Sequence, residues 1–240
     1  MNDKFGRELK DLRISVTDRC NFRCRYCMPE ELYGEAFEFL KKDKILSFEE
    51  IVRLSKIFIS LGVNKIRITG GEPLVRKNVV DLINSIHSIN KNVDIAMTTN
   101  GYLLKKYAHE LYESGLKRLT VSLDTLDDKI FKEMSGKNFK VSNVLEGIDE
   151  AVKVGFKDIK INSVIKKGVN ESSIIDLVDY SRSKNHILRF IEYMDVGTLN
   201  SWDKKNVFSS KNIKEIISKK YKIKSIEKNY PSETSERYSF

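Results

Sequence analysis

Cys20, Cys24 and Cys27 lie within eight residues, and the 240-residue chain has no other cysteine. An odd number cannot all pair as disulfides, and thiols gathered so closely read as ligands. Three thiolates from one loop suit an iron–sulfur cube, which usually takes four. One iron then lacks a protein ligand and is open to a chelating small molecule. Zinc competes for the same thiols, but a closed zinc site wants a fourth Cys or His. The histidines are His87, His109 and His186, and the first two fall within helical patterns.

A second cluster of special residues is Gly70-Gly71-Glu72-Pro73. Its glycines permit close backbone approach, and its proline holds Glu72 extended. Further polar residues fall at expected strand ends: Thr98 to Gly101, Ser122 and Asp124, Lys160 and Asn162, Glu192 and Met194. Strand ends are polar anyway where they meet loops, which covers each of these sites alone. In a parallel barrel they would converge on one mouth, where such folds place active sites.

The elements that must position these residues follow a strand–helix repeat. Leu12 to Val16 alternates as a strand does, and 65–69, 93–98, 118–123, 158–163 and 187–192 are the further strands. Ser47-Phe48-Glu49-Glu50 is a capping box opening a helix that stops at Gly62. Other helices fit 78–89, the stripe from Leu103 to Leu111, 143–154 and 171–183. Gly62-Val63, Gly115-Leu116 and Gly155-Phe156 mark helix ends, each glycine suited to the left-handed C′ position. Strands alternating with helices imply a parallel sheet, either doubly wound and open or part of a (β/α) barrel. No G-x-G-x-x-G follows the first strand, which disfavours a dinucleotide fold.

After 195 the pattern changes to a polar loop with Trp202, a short helix near 211–219 and a basic strand-like stretch from Tyr221 to Ile226. Residues 233–240 read as polar chain without a cap. The expected division is therefore 1–195 for the barrel and 196–240 for the start of a C-terminal module, cut short.

Composition bounds the rest. With 40% hydrophobic and 32% charged residues the chain can bury a real core, so wholesale disorder is excluded. The most apolar run, Ile57 to Val63, is far too short for a membrane span, and the charged N-terminus has no signal-peptide core. Reduced thiols imply the cytoplasm. The net charge of +9 suits an anionic ligand; a lysine-coated surface is a better account of it than nucleic-acid binding.

Cys20-Asn21-Phe22-Arg23-Cys24-Arg25-Tyr26-Cys27 resembles the cluster loop of the radical S-adenosylmethionine (SAM) superfamily, and Gly70 to Pro73 its second motif, which meets the SAM amino group. In that superfamily a [4Fe-4S] cluster binds SAM through its open iron and cleaves it to methionine and a 5′-deoxyadenosyl radical. The expected fold is α/β, a partial (β/α)6 barrel. Leu12 to Cys20, Arg67 to Leu74, Thr98 to Gly101 and Arg189 to Met194 resemble, more narrowly, the GTP 3′,8-cyclase family of molybdenum cofactor biosynthesis. That family converts GTP to (8S)-3′,8-cyclo-7,8-dihydroguanosine 5′-triphosphate. The radical takes hydrogen from ribose C3′, and C3′ then attacks C8 of the guanine.

The resemblance implies that Cys20, Cys24 and Cys27 hold the cluster. It implies SAM contacts at Tyr26, Gly71, Ser122 and Met194, and GTP contacts at Arg13, Arg67, Thr98 and Lys160. Three cations at one mouth suit a triphosphate, and Tyr26 and Met194 suit the faces of a base. It further implies an electron donor such as a flavodoxin or ferredoxin, and is compatible with a homodimer. The family also carries a second three-cysteine cluster and a glycine-rich tail, whereas this chain has no cysteine after Cys27. A fragment is the expectation. Another radical SAM activity on an anionic substrate, or a non-catalytic cluster-binding relative, stay open on the residues alone.

Overall fold

Alternation decides which way each strand faces. In 65–69 Ile66 and Ile68 are fully buried, while Lys65, Arg67 and Thr69 between them are only partly so. In the computed structural model, which describes residues 3–196, 202–228 and 233–240, this pattern runs through a six-stranded sheet. Its strands are β1 (Asp11–Ser15), β2 (Lys65–Thr69), β3 (Asp94–Thr99), β4 (Arg118–Ser122), β5 (Lys160–Ile165) and β6 (Ile187–Glu192). They pair in chain order and all in parallel. An order with no reversal decides against the doubly wound alternative, which needs a switch point. Right-handed crossovers lay the connecting helices on one face of such a sheet. Among the described residues β1 and β6 do not pair, so the sheet stays open.

The helices are α1 (Glu30–Tyr33), α2 (Phe48–Ser60), α3 (Val79–Ile89), α4 (Leu104–Glu113), α5 (Asp128–Ser135), α6 (Val141–Val154), α7 (Ile174–Ser183) and α8 (Ser210–Lys220). The capping box forms as expected at α2, with Glu50 N donating to Ser47 Oγ at 3.2 Å and Ser47 N to Glu50 Oε2 at 2.7 Å. Gly62, Gly115 and Gly155 all take positive φ, and Val63, Leu116 and Phe156 after them are buried. One hydrophobic core runs between the sheet and α2 to α7, with Ile66, Ile83, Leu111, Ile148 and Leu177 among its members.

Several parts depart from the sequence expectations, the short helix α1 among them. Helix α5 was not anticipated; Asp127 caps it through Ile130 N at 2.9 Å and Gly136 closes it. Strand β5 starts at Lys160, after Asp158 takes a positive φ. Residues 237–239 form β8 (Arg237–Ser239), antiparallel to β7 (Lys224–Ile226), a pairing that only a distant partner can specify. Beside this strand pair the Arg182 guanidinium of α7 packs on the rings of Tyr221 and Phe240, 4.3 and 4.4 Å from their centroids, and the two rings meet edge-on. A smaller core of Ile165, Ile174, Val178, Ile213 and Ile217 joins α8 to α7 and the sheet. Residues 197–201 of the polar loop lie outside the described residues.

Candidate active site

The cysteine loop leaves the end of β1 and is held from several sides. Gly71 N donates to Thr17 O at 2.7 Å and Glu72 N to Arg19 O at 2.9 Å, so the Gly-Gly-Glu-Pro turn zips onto the start of the loop. A Cβ on Gly71 would stand 2.3 Å from Arg19 O, which is why glycine is required there. Glu72 is extended, as its proline predicts, but its carboxylate is buried. It accepts from Leu74 N, Thr99 Oγ1 and Asn100 N at 3.0, 2.8 and 2.6 Å. Its oxygens thus stitch β2 to β3.

Arg23 anchors the first half of the loop, donating to the carbonyls of Cys20, Phe22 and Tyr33 at 2.8, 2.8 and 2.7 Å. The Phe22 ring is buried against Tyr102, Phe131 and Phe139. Tyr26 holds the second half: its hydroxyl donates to Asp124 Oδ2 at 2.7 Å. The proton of the Tyr26 hydroxyl is thereby committed to Asp124.

The thiols fit an iron–sulfur cluster. Cys20 Sγ receives Phe22 N at 3.4 Å and Asn100 Nδ2 at 3.8 Å, donors of the kind that stabilise a cluster-bound thiolate. Burial pushes the Cys20 thiol up to about 11, with the Glu72 and Cys27 charges adding to it. Burial also raises Cys24 and Cys27. Such thiols hold their protons until a metal displaces them, which links cluster binding to proton release. In a cube each thiolate binds a different iron. The loop therefore does not need its thiols to meet at one point, and among the described residues no three Cys, His, Asp or Glu side chains do.

The sheet face opposite the helices carries the charge. The register sets Arg13 beside Arg67, two positions before the row that aligns Thr98, Thr120 and Lys160. Ser122, Asn162 and Arg189 form the next row on the same face. The expected cations thus share a face, but Lys160 opens its strand and does not end it: the stagger of successive strands brings it level with Thr98. Arg67 Nη1 donates to Thr98 Oγ1 at 3.1 Å and to Thr120 Oγ1 at 3.3 Å. Burial lowers its pKa, and Arg118, Arg13 and Arg189 lower it further. Burial, with Arg189, Arg118, Arg67 and Lys65 adding to it, brings Lys160 down to about 8. Lys65 pairs with Asp11, and Arg118 with Asp94. Among the described residues no carboxylate lies within ion-pair distance of Arg13, Arg67, Lys160 or Arg189.

Arg118, Arg189 and Asn162 belong to this face without being anticipated as ligands. The two-residue alternation of their strands was the available signal, once the register is known. Asn162 Oδ1 is buried and has no hydrogen-bond donor among the described residues. Ser122 is partly buried on this face, and Met194 lies exposed just after β6.

A three-cysteine loop at the mouth of an open, sequentially ordered parallel sheet defines a radical SAM protein. The family model described as the radical SAM superfamily matches residues 14–181. Solved structures agree on the fold: a methylornithine synthase superposes with a TM-score of 0.65 over 89% of this chain and 63% of its own, at 16% identity. The peptide-bound enzyme anSMEcpe gives 0.61 over 77% and 51%, at 20% identity. GTP 3′,8-cyclases of Staphylococcus epidermidis and Staphylococcus haemolyticus are 48% identical over 99% of the chain, and that of Staphylococcus aureus 46%. The chain belongs to the GTP 3′,8-cyclase family of the radical SAM superfamily and spans 70% of the length of these relatives.

Proposed function

We propose that this chain is the radical-generating part of a GTP 3′,8-cyclase acting in molybdenum cofactor biosynthesis. The observation that carries the reading is the cationic inner face, with Arg13, Arg67, Lys160 and Arg189 lacking carboxylate partners among the described residues, directly below the cysteine loop. Cations gathered on one face without counter-charges, Arg67, Lys160 and Arg189 partly buried among them, are costly to keep unless an anion joins them. A triphosphate supplies several anionic oxygens, and arginine forks match their geometry.

In this reading Cys20, Cys24 and Cys27 hold a [4Fe-4S] cluster. When bound with SAM, that cluster supplies the electron that breaks SAM into methionine and a 5′-deoxyadenosyl radical. The chain's own residues do the rest by placement. Gly71 and Ser122 line the mouth beside the loop, and Tyr26 and Met194 lie where the nucleoside of SAM would rest. Arg13, Arg67 and Lys160 hold the triphosphate, with Thr98 fixing the Arg67 guanidinium. Asn162 Oδ1, level with Ser122, accepts a hydroxyl or N–H from whichever nucleoside lies there. The reductant is a small electron carrier such as a flavodoxin or ferredoxin. The compartment is the cytoplasm, where the thiols stay reduced; no described helix is long and apolar enough to cross a membrane. Residues 1–195 act as the barrel unit and 196–240 as the first part of a C-terminal module.

The test is anaerobic reconstitution followed by two measurements: iron and sulfide per chain, and the affinity for GTP against ATP and pyrophosphate. About four irons per chain and salt-sensitive GTP binding that weakens about ten- to a hundredfold in Lys160→Ala support the reading. No GTP binding with an intact cluster would favour a different anionic substrate.

A further inference from the structure

We infer that Asp124 is a positioning residue that sets the second half of the cysteine loop, acting through Tyr26. The inference deepens the radical SAM reading of that loop and rests on it.

The β4–β5 ladder ends where Leu123 N donates to Asn162 O at 2.8 Å. Beyond that point side chains take over the work of main-chain pairing. Asp124 Oδ1 accepts from Val164 N at 2.8 Å, and Asn170 Nδ2 donates to Asp124 O and Val164 O at 2.8 and 2.9 Å. Asn170 Oδ1 in turn accepts from Lys166 N at 2.8 Å. Asp124 and Asn170 are both buried. The carboxylate of Asp124 is thus pinned by one oxygen to β5, and its second oxygen is presented at a fixed place.

Tyr26 occupies that place from 98 residues away in sequence. Cys27 N and Met28 N both donate to Cys24 O, at 2.9 and 2.8 Å, so residues 24–28 form one tight turn that moves as a unit. Arg23 N, donating to Ser135 O at 2.8 Å, fixes the start of this turn, and a strong attachment within it orients the rest. Arg25 also reaches across, to Glu133 at 3.6 Å, but both side chains are largely exposed and that pair contributes little. Cys24 and Cys27 therefore take their position relative to Ser122 and Asn162 from the hydrogen bond between Tyr26 and Asp124. The same carboxylate ties the cluster ligands to the two strands that border the cofactor site.

The test uses Tyr26→Phe, Asp124→Asn and the double variant. In the metal-free chain, amide hydrogen exchange of residues 24–28 should quicken about tenfold in each single variant, with β1 to β5 unchanged, and no further in the double. After reconstitution each should retain about four irons per chain, bind SAM about tenfold more weakly, and lose the change that SAM causes in the spectrum of the reduced cluster. If Asp124→Asn does not fold, Tyr26→Phe decides alone, because it leaves the Asp124–Val164 bond in place. Unchanged exchange at 24–28 in Tyr26→Phe, or additive effects in the double variant, would overturn the inference. A wild-type chain that takes up no iron would instead overturn the cluster reading, and the exchange result would still decide this one.

Discussion

Arg67 Nη1 reaches Thr98 Oγ1 at 3.1 Å across the β2–β3 step, so two residues proposed for the same substrate site are themselves hydrogen-bonded. The partner is a neutral hydroxyl. It orients the guanidinium without cancelling its charge, which keeps the positive potential of the inner face available to an anion.

Thr98→Val removes this orientation and retains the charge. It should weaken GTP binding by only about three- to tenfold, whereas Arg67→Ala should cost about ten- to a hundredfold, since a charge-assisted bond contributes roughly 1.5–3 kcal/mol. Calorimetric titration of both variants at one ionic strength checks the ordering. Equal losses would mean that Thr98 touches GTP in its own right.

Lys160 gives a pH dependence with a definite sign. Its pKa is about 8 in the fold against an ordinary 10.5. Between these values the unfolded chain binds the extra proton, so the contribution of this group to stability rises with pH there. Binding runs the other way. As pH rises through about 8 the free protein loses this positive charge, and triphosphate affinity should fall from pH 7 to pH 9. Lys160→Arg keeps its charge throughout and should flatten that fall. A wild-type affinity constant over this range would remove Lys160 from the site.

Cys24→Ala should abolish the cluster, because two remaining thiolates cannot hold a cube that already lacks its fourth. Iron analysis after anaerobic reconstitution measures it. A full iron complement in this variant would refute the ligand assignment.

Glu72→Gln should destabilise the fold by about 1–3 kcal/mol in denaturant unfolding. Three donors converge on the carboxylate, and an amide must point its own N–H₂ at one of them. Loss of SAM affinity with unchanged stability would show instead that the carboxylate meets the ligand.

Coupling should be poor in the 240-residue chain. Its cysteines all sit in one loop, and in the proposed reading its cations grip the triphosphate end of GTP, not the base. A displacement of about 1 Å at the reacting carbon can cost about a hundredfold in rate. With dithionite, SAM and GTP, 5′-deoxyadenosine should therefore far exceed cyclic product. Comparable yields of the two would show that residues 1–240 position the ribose unaided.

Much of this protein is determined locally and was legible without coordinates. The Ser47–Glu50 capping box, the glycine-ended helix junctions and the strand at 65–69 depend on neighbours within a few residues, so their chemistry announces them. The same holds for the cysteine spacing, because one loop supplies all three thiols. Tertiary structure decided what depends on distant partners. Arg118 and Arg189 join Arg13, Arg67 and Lys160 on one face only through the register and stagger of neighbouring strands, which no single strand encodes. Tyr26 meets Asp124 across 98 residues because β4 and β5 part just above Ser122. Residues 237–239 become a strand only because 224–226 lies alongside. Side-chain periodicity fixes a face within an element, but which faces meet is set by packing between elements, and the cationic face and the Tyr26–Asp124 bond both arise there.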